Sequence, residues 1–325
     1  MTTYKGIKGV KTVSLASDPS PTAEAIGTVW YNTAGGTLKY AIQGAAAWAA
    51  TPSLNTGRAQ AAACGTTSAA LFFGGEPPNS NKTESWNGST WTEVANLSTR
   101  AKYGMGGVGT QTAALCMGYH NGGNDTEIWN GSSWSETANL TTGRGRACAS
   151  VAGTTTAALY AGGQVYPTIY DLTESWNGSS WTETADLNVG RNFLMGLGTS
   201  TAMLAVGGIT TPTEPTSLSA LTESWNGTSW TEVNDINTAR GKGAAAGITT
   251  SAMIFGGMPG GSALTEKYDG TSWTEVGDLA AAQNENTGFG TTSSAMSVGS
   301  HPGSNPAVSQ EWADPNYAIK TVTTS

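Results

Sequence analysis

Short apolar runs that end in glycine alternate along this chain with polar stretches bracketed by aromatic residues. Six segments carry the apolar run: GTTSAALFFGG at 65–75, GTQTAALCMGY at 109–119, GTTTAALYAGG at 153–163, GTSTAMLAVGG at 198–208, GITTSAMIFGG at 247–257 and GTTSSAMSVGS at 290–300. A run with no polar alternation predicts a strand covered on both faces. Each run leads to two aromatics around a turn: Trp86 and Trp91, Trp129 and Trp134, Trp176 and Trp181, Trp225 and Trp230, Tyr268 and Trp273, then Trp312 and Tyr317. The first aromatic recurs at intervals of 43, 47, 49, 43 and 44 residues. A period in the forties with four strand-like pieces per unit predicts propeller blades, since β-helix coils are shorter.

Residues 144–187 show how one unit parses. RGRACASVAG is strand a, whose small side chains suit the crowded axis, and TAALYAGG is strand b. LTESW is strand c and WTETADL strand d, joined by NGSS, a hairpin signal because Asn and Gly both tolerate positive φ. The two aromatics then face one another across the hairpin.

Composition agrees with many short strands: 44 glycines, 12 tryptophans and only 12% charged residues. Gly and Thr are poor helix formers, and the apolar content is too high for a disordered chain. The formal charge is −8 with 15 basic residues, and no basic stripe interleaves with aromatics, which argues against a nucleic-acid partner. Cys64, Cys116 and Cys148 lie in or beside apolar strands and read as small core residues, not as a disulfide framework. The first residues have no continuous apolar core of the kind a secretory signal carries. No stretch approaches the ~18 apolar residues of a membrane span.

The order of apolar strand, double glycine, variable loop, aromatic, short turn, Trp and a polar segment ending near Arg resembles the kelch repeat, over residues 58 to about 324. The resemblance implies an all-β, six-bladed kelch-like β-propeller, with seven blades as the alternative. Units two and six depart from it, having Gly118-Tyr119 and Gly299-Ser300 in place of two glycines. The head of the chain, with Tyr40, Trp48 and Arg58, reads as half a further blade, as an extra strand on the closing blade, or as a separate β-hairpin module. The third is preferred, because NYAIKTVTT near the end supplies a strand d for unit six. The expected domains are therefore an N-terminal arm and hairpin module over 1–57 and a propeller over 58–325. SDPSPTAEAIGTVWYNTAGGTLKY in that arm also resembles a short module of bacteriophage tail-fibre and other virion proteins, and the Ala/Thr/Gly/Asn-rich repeats resemble phage kelch proteins.

Catalytic chemistry finds little support. Two histidines, His120 and His301, exclude sites that need several imidazoles, so no metal and no cofactor is expected. The turns at 176–183 and 268–275 resemble the Asp-box of sialidases, but most copies carry Asn in place of Asp. Such enzymes cluster arginines, whereas Arg58, Arg100, Arg144, Arg191 and Arg240 occupy one repeated position and leave Arg146 alone. Repetition is what a scaffold needs. Each of these arginines is expected to pair with a glutamate of the set Glu84, Glu127, Glu174, Glu223, Glu266 and Glu311. Gln283 replaces the sixth Arg, so Glu311 is expected to be more exposed or bonded differently. The repeated Asn-Gly-Ser sequons are read as turn chemistry.

Loops alternate between the two faces of an antiparallel meander. Length variation falls in the b to c loops, which carry Tyr119, His120, Tyr166, Tyr170 and His301, and variable loops on a rigid scaffold are where recognition sits. These five are the candidate binding residues, for a host-surface glycan or protein. The expectation is a non-catalytic phage virion component, located on the particle, serving host attachment or decoration of capsid or tail. Its arm would dock on other virion proteins, and self-association is left open. A cellular kelch interaction scaffold and a glycan-processing propeller enzyme are the alternatives.

Overall fold

The computed structural model describes residues 13–19, 27–77, 80–98, 102–212, 217–301, 307–314 and 317–322. Arg100 lies outside them. The chain divides into two units, Trp48–Trp312 and a terminal unit of Met1–Ala47 with Ala313–Ser325. The boundary expected at 57/58 is thus displaced, and the last residues belong with the first.

In the larger unit, each apolar run forms strand b, with strand a before it and the aromatic hairpin after it. Blade 1 is Ala62–Thr66, Ala69–Phe73, Thr83–Trp86 and Trp91–Val94, hydrogen-bonded antiparallel in that order. Blades 2 to 5 repeat it, beginning at Gly106, Cys148, Met195 and Ala244. Blade 3 adds a small hairpin, Gln164–Val165 with Thr168–Ile169. Each a strand packs against the a strands of its two neighbours, and the a strand of blade 6, Thr287–Gly290, returns to that of blade 1. Such closure protects the edges that an open sheet would expose.

The ring closes differently from the sequence reading. Blade 6 takes Thr287–Gly290, Ser294–Val298 and Ser309–Ala313 from the end of the chain, and its outer strand is Ala47–Thr51 from the head. Trp312 therefore pairs with Trp48, ring centroids 5.8 Å apart, and not with Tyr317. Trp48 is buried, sits 4.7 Å from Phe255, and donates Nε1–H to Thr265 Oγ1 of blade 5 at 3.0 Å. Trp134, Trp181 and Trp230 make the same bond to Thr83, Thr126 and Thr173 of the preceding blade. Sequence order conceals this pairing because the partners lie at opposite ends of the chain.

The strand expected to complete blade 6, Tyr317–Thr321, instead joins the terminal sheet. There Val13–Leu15 runs parallel to Val29–Asn32, which pairs antiparallel with Thr37–Gln43, which pairs with Tyr317–Thr321. The head module is a four-stranded sheet built from both chain ends, and not a lone hairpin. Asp18 fastens it by accepting from Trp30 Nε1 (3.1 Å), Asn32 Nδ2 (2.6 Å) and Lys39 Nζ (2.8 Å). Those contacts hold the Asp18 carboxyl below its ordinary range, the Lys39 bond contributing most.

Within the propeller the aromatic pairs meet across each hairpin, ring centroids 4.9 to 5.5 Å apart. Beyond the area they bury, such pairs contribute about 0.5–1.5 kcal/mol each. The three cysteines are buried and free. Burial pushes the Cys116 and Cys148 thiols up to about 12, where they remain protonated and inert.

A buried ion pair ties each of five blades to the segment before its a strand. Arg58–Glu84, Arg144–Glu174, Arg191–Glu223 and Arg240–Glu266 lie at 2.5 to 2.8 Å, every side chain nearly inaccessible. The fifth pair is Lys102–Glu127 at 2.8 Å. Lys102, not Arg100, holds the repeated seat, because each seat lies four residues before the first residue of strand a. Blade 6 replaces the pair with two amides: Gln310 Nε2 donates to Gln283 Oε1 at 2.7 Å. Counting two residues back from the aromatic reaches Gln310, so Glu311 never belonged to the glutamate series. Glu311 is half-buried, at the position that Ser85 takes in blade 1.

Candidate functional site

The residue two places after each ion-pair seat adopts a left-handed backbone in all six blades. These residues are Gln60 (φ 49°), Gly104 (66°), Arg146 (59°), Phe193 (50°), Lys242 (60°) and Glu285 (55°). Their peptides form a closed circle. The N–H of Gly104 donates to Gln60 O (2.7 Å), Arg146 to Gly104 (2.6 Å), Phe193 to Arg146 (2.7 Å), Lys242 to Phe193 (3.0 Å), Glu285 to Lys242 (2.6 Å) and Gln60 to Glu285 (2.9 Å). Left-handed backbone disfavours residues with a Cβ by about 1–2 kcal/mol, so glycine is the economical choice six times. It occurs once. Five side chains are kept at a conformational cost, and each is chemically different.

A second ring surrounds the first. The residue after each double glycine, or its substitute, is Glu76, His120, Gln164, Ile209, Met258 or His301. Each donates its backbone N–H to the residue just before the inner ring: Ala59, Tyr103, Gly145, Asn192, Gly241 and Asn284, at 2.8 to 3.0 Å. The double glycine makes this approach feasible. Gly75, Gly163, Gly208 and Gly257 have φ near 100°, which a side chain resists. Tyr119 and Ser300 stand at that place in blades 2 and 6, without positive φ, and the blade 2 ladder shifts register between Met117 and Tyr119.

The rings surround an axial cavity of about 120 Å³ whose walls are the small a-strand residues, among them Ala62, Gly107, Ala149, Gly196, Ala245 and Gly288. At its mouth, Lys242 Nζ lies 2.8 Å from Glu285 Oε1 and 4.5 Å from the Phe193 ring centre. The Arg146 guanidinium also lies 4.5 Å from that centre. Gln60 Nε2 donates to Glu76 Oε1 at 2.6 Å, which leaves Gln60 Oε1 directed elsewhere and without a hydrogen-bond partner. Asn286, 7% exposed and lining the cavity, gives Nδ2–H to Ser297 Oγ at 2.8 Å, and its Oδ1 has no partner. Tyr103 stacks on His120, ring centres 4.8 Å apart. Desolvation, reinforced by the Arg146 charge, pulls His120 down to about 4, so its imidazole is neutral at pH 7. Burial, with the Glu285 charge second, pushes the Glu76 carboxyl above its ordinary range.

The five residues singled out from the sequence divide. His120 and His301 occupy equivalent places on the outer ring, where the Arg146 charge helps to lower His120. Tyr119 is half-buried, its ring 5.6 Å from Lys102 Nζ. Tyr166 is 64% exposed between the strands of the extra hairpin, and Tyr170 follows that hairpin, its N–H on Gly163 O. Neither is among the residues that line the cavity. Arg146, set aside in the sequence as an unrepeated arginine, stands on the inner ring, which sequence reasoning missed as a whole. The signal existed: counting two residues past each seat gives Gln, Gly, Arg, Phe, Lys and Glu, a column without repetition inside a repetitive chain.

The opposite face repeats itself. Asn87, Asn130, Asn177, Asn226 and Asp269 each accept backbone N–H bonds from residues two and three places on, at 2.8 to 3.0 Å. That is self-contained turn chemistry.

No protein-family model matches this chain, and no curated protein matches it. Among solved structures, one titled as the structure of YjhT is similar to it with a TM-score of 0.64 at 10% identity, over 83% of this chain and 99% of that one. At that identity the likeness is one of fold, and together with the four-stranded sheets it makes the chain an all-β propeller.

Proposed function

We propose that the chain is a non-catalytic, six-bladed kelch-like propeller of a phage virion, which recognises a host surface through its loop face and is held on the particle by its terminal unit. The observation that carries the recognition half is the contrast between the faces. One repeats the same turn, while the other varies its side chains around two rings whose backbone hardly changes. Function resides in sites and not in folds, and an unrepeated site on a repeated scaffold is where selection has acted on side chains. The attachment half is supported by the WYN segment, with its resemblance to fibre-type modules, and by the use of both chain ends in one small sheet.

Immunogold labelling of purified parent particles tests the reading. Label at defined places on intact particles is expected, and particles free of the protein would overturn it. A glycan-processing enzyme is the second reading, favoured by the two perturbed groups beside the cavity, His120 and Glu76, since shifted titration marks many active sites. Chromogenic sialosides and galactosides should remain uncleaved. Turnover abolished by Glu76→Gln would establish that reading instead.

A further inference from the structure

Strand d is the outer edge of every blade, and its exposure runs the same way in all six: a buried Trp, two exposed residues, a half-buried one, two more exposed and a buried Leu or Ile. The side chains do not run the same way. The second exposed residue is Glu93, Glu136, Glu183, Glu232 or Glu275 in blades 1 to 5, and Ala50 in blade 6. Ala49, just before it, replaces Thr or Ser, and Ser53 replaces the Asn or Asp that the other blades carry at its place. Charges along an edge strand are a common defence against pairing with another chain. Among the described outer strands, the one in blade 6 lacks them.

The backbone is open there too. In blade 5, Val276 gives its N–H inward to Thr265 O, so alternation turns the N–H and C=O of Trp273 and Glu275 outward. The outward Trp carbonyl is capped in three blades by an asparagine on the connection leading into the blade. Asn55 Nδ2 donates to Trp91 O (2.9 Å), Asn188 Nδ2 to Trp230 O (3.4 Å) and Asn237 Nδ2 to Trp273 O (3.0 Å). Each of those asparagines follows a buried Leu or Ile. On the connection into blade 6 the residue after buried Leu279 is Ala280, which has no side-chain donor. Trp48 and Ala50 thus present main-chain donors and acceptors on an uncharged edge that no described strand pairs with.

Charge identifies the occupant. Two copies of a chain of formal charge −8 repel one another, and pairing through any of blades 1 to 5 would set edge glutamates about 7–8 Å apart across the new seam. At blade 6 alanine meets alanine. We propose that two copies of this chain join through the outer strands of blade 6, Ala47–Thr51 against Ala47–Thr51, in an antiparallel two-fold pair that makes one continuous sheet of their sixth blades. Centred on Ala49, the pair sets Trp48 of each copy opposite Ala50 of the other, where both outward N–H groups find carbonyls. Pro52, which has no N–H, ends the ladder. Glu311 sits on strand c, one strand further in. The two copies' Glu311 side chains are then about 14 Å apart, beyond the Debye length of about 8 Å at physiological salt. This inference goes beyond the proposed function and holds wherever the protein resides.

Sedimentation equilibrium of the purified full-length chain tests the pair. A monomer–dimer equilibrium is expected, with the dimer populated at about 100 μM, since so small an interface belongs to the weak class. Ala50→Glu and Ala280→Asn each restore the residue that sister blades carry, so both should keep the urea midpoint of the dilute monomer. Ala50→Glu should weaken dimerisation about tenfold or more, and Ala280→Asn should weaken it by capping the Trp48 carbonyl. Glu183→Ala, on the edge of blade 3, should leave it unchanged. In hydrogen exchange, raising the concentration should newly protect the Trp48 and Ala50 amides. Should Ala50→Glu fail to fold, Ala280→Asn and the exchange pattern decide. The proposal falls if the chain sediments as a monomer throughout, as it would were the edge reserved for a different protein. It falls equally if Ala50→Glu leaves the dimer intact, or if concentration protects amides elsewhere instead. Particle labelling is unaffected by any of these outcomes, so the two readings fail separately.

Discussion

Blade 6 supplies an internal control for the buried ion pairs, and it sets the size of the effect when one is neutralised elsewhere. In blade 4, Arg191 Nη1 donates to Gly207 O (2.6 Å) and Leu221 O (2.8 Å), and Nη2 to Glu223 Oε1 (2.8 Å). Glu223 Oε2 accepts from Asn188 N and Nδ2, both at 2.7 Å. Glu223→Gln would turn an amide N–H toward a guanidinium and leave that cation uncompensated where no water reaches it, a loss of about 3–5 kcal/mol. Arg191→Gln alone should cost a similar amount. The double variant reproduces Gln283 and Gln310, where Gln283 Nε2 satisfies Gly299 O at 2.7 Å and Gln310 Oε1 accepts from Ala281 N at 3.0 Å. Gly299 corresponds to Gly207, and Ala281, two residues before its seat, corresponds to Val189, so a carbonyl and a backbone N–H are available for the same kinds of bond. What blade 4 lacks is Ser297 Oγ, which donates to Gln283 Oε1 and whose place is taken by Ala205. One missing donor costs about 1–2 kcal/mol. The double variant should therefore lose only that, with a coupling energy of several kcal/mol between the single changes, and adding Ala205→Ser should recover most of it. Urea unfolding followed by tryptophan fluorescence, with the slope held constant across the set, measures all four. A double variant as unstable as the two single losses added would show that charge pairing is not what fills this seat.

Lys102→Met should cost about 3–5 kcal/mol by stranding Glu127, measured as a fall in the urea midpoint. Trp48→Ala should cost a like amount through its cavity and match Trp230→Ala, since both are outer-strand tryptophans; a negligible loss would contradict ring closure by the head of the chain. Ser309→Thr should add about 0.5–1.5 kcal/mol, because Trp91 Nε1 and Ser309 Oγ are both unpartnered at the one seam where serine replaces the threonine of other blades. His120 is held down to about 4, against an ordinary value near 6.5. Between those values the unfolded chain binds the extra proton, so this group removes stability as pH falls from 6.5 toward 4. Glu76, shifted up, acts in the opposite sense above its ordinary value. His120→Gln should flatten the acid limb of a plot of urea midpoint against pH, and the His120 NMR titration should centre near pH 4.

The propeller was legible because its structural requirements recur. Apolar strand b, the aromatic hairpin and the buried pair are imposed by packing each blade on the next, and the same residues answer the same demand each time. Three readings failed where identity was followed in place of position. Arg100 looked like its counterparts, yet the seat four residues before strand a belongs to Lys102. Glu311 looked like the other glutamates, yet the seat two residues before the aromatic belongs to Gln310. Tyr317 looked like the partner of Trp312, yet closure draws Trp48 from the far end of the chain, a choice set by ring geometry that no local pattern encodes.

The site was harder to see for the converse reason. A recurring residue announces itself, whereas the inner ring shows only in the shared geometry of its backbone. Six N–H to O=C bonds close a circle about the axis only if every member turns left-handed, which explains why φ is alike at Gln60, Arg146, Phe193, Lys242 and Glu285 although their side chains share nothing. Six glycines would close that circle with less strain. At about 1 kcal/mol per position, five exceptions sum to an amount comparable with the net stability of many domains. Some return comes locally, through Lys242 with Glu285 and both cations against Phe193. Gln60 gains a bond from Nε2 to Glu76, while its Oε1, beside Gly104, has no hydrogen-bond partner.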